Sequence, residues 1–183
     1  MNTSNEITIS ANEIIDDSVL DTFYTEEHIE AALTATLNYI DTCLENDLQL
    51  PYFADITDAQ WYSKPKTLDV YITNDSEAQE LNLEARGKDY ATNILSYPSE
   101  ITASVIDLMP TLPLGELIIC HEVIVREASE QNKTIAQHLT HLLIHGVLHL
   151  LGFDHELGQA EQDEMEDFEI TILKELGLPN PYL

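Results

Sequence analysis

The chain has 183 residues and 44% hydrophobic content, the size and composition of one globular domain rather than of a disordered or membrane-spanning polypeptide. Its 34 acids against 7 bases leave a formal charge of −27, with no Lys or Arg before Lys64; such a surface repels phosphate backbones and anionic membranes, and argues against nonspecific nucleic-acid binding. The start lacks a basic, apolar leader, and Cys43 and Cys120 are too few for a disulfide framework or a thiolate zinc site, so a cytoplasmic protein is expected.

Read in chain order, residues 1–20 form a loose N-terminal extension apart from a short alternation at Ile7–Ile9 that reads as strand. Thr25 N-caps a helix running to about Glu45, with Ile29, Ala32, Leu33, Leu37, Ile40 and Leu44 at helical spacing. Leu68–Ile72 alternates as a strand, and Asn74 or Asp75 caps a helix through Ala85 that Gly87 ends. Ile94–Tyr97 is a short strand stopped by Pro98, Ser99–Pro113 a loop, and Leu117–Cys120 a buried strand. Three helices follow, over about Glu122–Gln131, Thr134–Leu151 and Gln159–Leu176, the last with its acids (Glu161, Asp163, Glu164, Glu166, Asp167) on a solvated face. The class is α+β: a single domain over 1–183, with a small mixed sheet packed against helices.

Four of the seven histidines, His138, His141, His145 and His149, fall in one helical segment, and His155 follows. Imidazoles four apart share a helix face about 6 Å apart along the axis, and Gly152 lets the chain leave the helix so that His155 can return over that face. His-x3-His-x5-His would bind a divalent ion with a position left open, as catalytic rather than structural zinc sites do. Spacing leaves His141-x3-His145 an equally good pair, with His141 otherwise a support behind the ligands and His138 neither. Imidazole donors favour zinc first, with nickel, copper and iron as the alternative divalent metals. A His-Glu-x-x-His protease needs a glutamate where Gly146 stands, which disfavours peptide hydrolysis.

The block from His145 to His155, HGVLHLLGFDH, resembles the signature of the YbeY family of bacterial endoribonucleases and rRNA maturation factors. Two upstream blocks, one from Glu80-Leu81-Asn82 through Arg86–Pro98 (RGKDYATNILSYP) and one at Leu114–Cys120 (LGELIIC), are similar to the family's others, and the resemblance covers about Leu68 to Leu183. Ala91, Tyr97 and Phe153 depart mildly, where the family often has Pro, Phe and Tyr; none of these removes a group able to bind metal or phosphate.

The resemblance implies a single α+β domain with a zincin-like metal-bearing helix, with zinc held by His145, His149 and His155 and catalysis by these residues and Arg86. It implies metal-activated water cleaving single-stranded RNA, not DNA, in small-subunit rRNA 3′-end maturation and ribosome quality control. Implied partners are the rRNA precursor, the small ribosomal subunit, one of its platform proteins and an Era-type GTPase, with no membrane. A fixed guanidinium suits the charge that develops on phosphoryl oxygens. Lys88 is a second candidate for holding RNA, and Glu116 and Asp154 are equal candidates for proton transfer. The alternatives are a non-catalytic, metal-stabilised assembly factor and a metallohydrolase of another substrate. Lys64, Lys66, Arg86 and Lys88 lie close in sequence and are expected to form a small positive cleft in the acidic shell.

Overall fold

The computed structural model describes residues 4–183. Four strands form one sheet in the order β1 (Glu6–Ala11), β2 (Lys66–Thr73), β4 (Leu112–Cys120), β3 (Ile94–Pro98). The first three run parallel and β3 lies antiparallel at the edge, a mixed sheet as expected. β1 bears out the strand read at Ile7–Ile9 and extends it to Ala11; its pairing with β2 from Glu6 onward ties that part of the expected loose extension into the sheet.

Strand register explains the layering. Val70 pairs with Leu117 and Ile72 with Ile119, which sets one apolar row on one face, continued by Ile9 on β1 and Ile94 on β3. Against this row pack α2 (Glu26–Leu44) and α7 (Ile135–Leu151), with α8 (Gln159–Glu175) against α7. Residues on the opposite face, among them Asp69 and Glu116, alternate with this row. α4 (Asp75–Arg86) lies against β4, and α6 (His121–Glu130) against α7.

Local chemistry sets the helix ends. Thr25 accepts a hydrogen bond from His28 N, Asn74 from Glu77 N, and Thr134 forms a reciprocal capping box with Gln137. Gly87 and Gly152 end α4 and α7 in the left-handed conformation, at φ 68° and 106°.

Four short elements differ from the sequence reading: α1 (Asp17–Phe23), a 3₁₀ turn over Pro51–Phe53, α3 (Asp58–Ser63) and α5 (Ala103–Ile106), the last inside the expected Ser99–Pro113 loop. β4 also begins at Leu112 rather than Leu117. Pro113, which lacks an N–H, is carried where the register shifts opposite Thr67 and Leu68. Among the described residues no helix is long and apolar enough to cross a membrane, and both cysteines are free.

Candidate metal centre and its cleft

α7 carries His145 and His149 one turn apart, on a face that lines a cleft beside β3. After Gly152 the chain turns through Phe153 and Asp154, and His155 comes back over that face. Each of the three imidazoles offers a ring nitrogen, and these atoms all lie within 4.8 Å of one another. Nε2 of His149 is 3.0 Å from Nε2 of His145. Four-coordinate zinc about 2.0–2.1 Å from each nitrogen would set neighbouring donors roughly 3.3 Å apart, so the spacing suits one ion.

Protonation states fit the same reading. Nδ1 of His145 lies 2.6 Å from Oε1 of Glu169, and a carboxylate accepts only, so the ring proton sits on Nδ1 and the Nε2 lone pair is free. Burial, with the neighbouring imidazoles, pulls His149 down to about 4 and keeps it neutral at pH 7. Nδ1 of His155 is buried without a hydrogen-bond partner among the described residues. Converging imidazole nitrogens, one of them on a ring kept neutral and one left without a partner, are what a divalent ion requires.

The other histidines separate cleanly. Nε2 of His141 lies 3.3 Å from Oε1 of Glu169 and outside the trio, so the pair that spacing left open resolves to His145 and His149, with His141 beside the supporting carboxylate. Nε2 of His138 bonds Oε2 of Glu127 at 2.6 Å, a buried structural pair. Glu169 itself escaped the sequence reading. Its signal is a carboxylate at helical spacing inside the Met165–Ile172 apolar stripe of α8, where it is 1% exposed. Burial pushes its carboxyl up, but hydrogen bonds from His141 and His145 outweigh this and bring it down to about 2. Tyr182, near the C-terminus, donates its hydroxyl to the other Glu169 oxygen.

The trio opens into a cleft of about 600 Å³ that Arg86, Lys88, Asp154 and Glu156 also line. Arg86, in the last turn of α4, pairs with Glu156 at 2.9 Å. Asp154 lines the cleft and accepts from Glu156 N at 2.8 Å, whereas Glu116 is not among the lining residues, so of the two carboxylates considered only Asp154 faces the trio's cleft.

The expected four-base patch is corrected to two. Lys64 donates to the carbonyls of Ile106 and Met109. Lys66 is buried, donates to the carbonyls of Trp61 and Lys64, and sits 4.2 Å from the Trp61 ring centroid. Both lysines brace the start of β2 rather than the cleft. Gly146 faces the sheet: a Cβ there would lie 2.8 Å from both Ile94 Cδ1 and Leu117 Cδ2, leaving no room for a protease-type glutamate.

Comparison with known proteins identifies the family. A family model described as "Endoribonuclease YbeY" matches residues 24–177, beginning well before the Leu68 limit of the sequence resemblance. A Psychrobacter cryohalolentis protein named endoribonuclease YbeY is 69% identical over 152 residues, covering 83% of this chain and 98% of its own. An Acinetobacter baylyi protein of the same name is 39% identical over 155 residues, covering 85% of each chain. The solution structure of a Thermotoga maritima protein aligns with a TM-score of 0.48 and 20% identity, over 93% of this chain and 91% of that one. With 69% identity over most of the chain and a family model spanning nearly all of it, the chain belongs to the YbeY family.

Proposed function

We propose that this protein is a zinc-dependent endoribonuclease that hydrolyses phosphodiester bonds in single-stranded RNA, with His145, His149 and His155 holding the metal. The observation that carries this reading is the convergence of the three imidazole nitrogens, within 4.8 Å, in a cleft whose wall also presents Arg86. A bound divalent ion would supply Lewis acidity toward a phosphoryl oxygen and water.

The chain's own groups supply the rest. Glu169 fixes the His145 ring and its tautomer. Arg86 offers a planar guanidinium for the non-bridging oxygens, whose charge grows as the phosphorus becomes five-coordinate; a strand entering the cleft exchanges Glu156 for phosphate on that group. Lys88 adds a second charge at the cleft wall. Asp154, in the cleft wall, would accept or return a proton at the bond being cleaved.

The cellular assignment rests on family membership and on the sequence resemblance: maturation of the small-subunit rRNA 3′ end and ribosome quality control in the cytoplasm. Its partners would be the small subunit, one of its platform proteins and an Era-type GTPase.

The test incubates the zinc-loaded protein with end-labelled single-stranded and duplex RNA, beside His149→Ala and Arg86→Ala. Cleavage of the single strand only, lost in His149→Ala and reduced about 10²–10³-fold in Arg86→Ala with metal content intact, is the expected result. A fully active His149→Ala protein would overturn the assignment of the metal centre.

A further inference from the structure

The acidic surface sets a problem for binding an unpaired strand. Of the seven bases, Lys64 and Lys66 brace backbone carbonyls, Arg126 is held by Asp75 through two bonds of 2.8 and 3.0 Å, Lys133 bonds the Gln131 side chain and the Pro181 carbonyl, and Lys174 is exposed in the last turn of α8. Among the described residues, Arg86 and Lys88 are the only two of these bases that line the cleft. Two phosphate contacts release few counterions, so the electrostatic part of the affinity is small and something else must hold the strand.

The cleft presents a second kind of surface. Tyr52 and Tyr90 line it and are half-exposed residues, at 52% and 55%. Neither hydroxyl takes part in a hydrogen bond among the described residues, so no internal contact fixes the rings by their polar ends. Their backbones, in contrast, are held.

Tyr52 sits in the 3₁₀ turn packed on the end of α7, so closely that a Cβ at Gly152 would lie 2.8 Å from its backbone nitrogen. Tyr90 follows α4, its carbonyl bonded at 2.8 Å by the fully buried Asn82 side chain. Both attachments border the groups that do the chemistry: Gly152 lies three residues before His155, and Tyr90 two residues after Lys88. A fixed backbone carrying an open aromatic face is a preorganised platform.

We propose that Tyr52 and Tyr90 are stacking platforms for two unpaired bases of the RNA strand, and that this stacking, rather than charge, supplies most of the affinity at the cleft. The proposal deepens the ribonuclease reading and rests on it. Stacking tolerates any base, because every base has a π face, but it requires that the base be out of a duplex. The cleft therefore selects unpaired strands without a basic groove, and the −27 surface rejects bulk nucleic acid without defeating the substrate.

The experiment is stopped-flow anisotropy of a labelled single-stranded ribo-octamer, and of an abasic ribose-phosphate chain of equal length, on the zinc-loaded full-length protein. Tyr52→Ala and Tyr90→Ala are each expected to weaken binding of the base-bearing strand about 5- to 100-fold. Both should leave the weak abasic binding unchanged, and Tyr52→Phe and Tyr90→Phe should bind as wild type. Alanine variants that bind the base-bearing strand like wild type, or that lose both strands equally, would overturn the stacking role. If wild type still cleaves the octamer in that case, the ribonuclease reading stands without it; if wild type neither binds nor cleaves it, the ribonuclease reading fails first.

Discussion

Glu169 on α8 lies 2.6 Å from Nδ1 of His145 on α7, and through that one bond a buried carboxylate sets the direction in which the His145 Nε2 lone pair points. The same carboxylate receives His141 on one oxygen and Tyr182 on the other, so the C-terminal segment, α8 and α7 meet behind the candidate ligands. Glu169→Gln keeps the shape but removes the charge that orients the ring. Zinc affinity, measured by chelator competition, should fall about 10- to 100-fold while the circular dichroism spectrum stays unchanged. Wild-type affinity in that variant would mean that the His145 ring is held by packing alone.

The Arg86–Glu156 pair is half exposed, at 36% and 55%, and so contributes little to stability, about 0–1 kcal/mol. Under the proposed function its consequence is competition: Glu156 occupies the guanidinium that a phosphate would use. Glu156→Gln should lower KM for single-stranded RNA by up to about fivefold with kcat nearly unchanged, and the melting temperature should move little. A raised KM would show that Glu156 helps to position Arg86 instead.

With only Arg86 and Lys88 in the cleft wall, binding of single-stranded RNA should depend weakly on salt. Two phosphate contacts predict a slope of log K against log[salt] near about −1.4. A slope of roughly −4 or steeper, from the same titration, would reveal a basic surface that the fold does not display.

Most of the helices were legible because their signals are local. Thr134 with Gln137, the apolar stripe of α7 and Gly152 mark one helix from end to end, and the same segment carries two of the three converging histidines. The short α1 buries no residue and so leaves no periodic stripe to read, although the Thr57–Gln60 capping box of α3 was visible in principle. Sheet order, the braced roles of Lys64 and Lys66, and the reach of Glu169 to His145 depend on contacts between residues distant in sequence. Proximity in sequence placed four bases in one patch; the fold sends two of them to carbonyls at the start of β2.

Lys66 gives a pH signature of its own. Burial lowers its ammonium to about 8, below the unfolded value of about 10.4, so between these values the unfolded chain binds more protons than the folded one. Stability from this group is therefore lowest below about pH 8 and rises as the pH climbs toward 10.4. Relative to Lys66→Met, wild type should gain on the order of 1–3 kcal/mol across that window in urea unfolding. A pH-independent difference between the two proteins would mean that Lys66 titrates normally.

The central claim is that RNA cleavage runs through a metal held by His145, His149 and His155. The most direct measurement is the rate of single-stranded RNA cleavage by chelator-stripped protein as zinc is titrated back. Expected are no cleavage without metal, full recovery near one equivalent per chain, and no recovery at that level in His149→Ala. Undiminished cleavage by the stripped wild-type protein would contradict it.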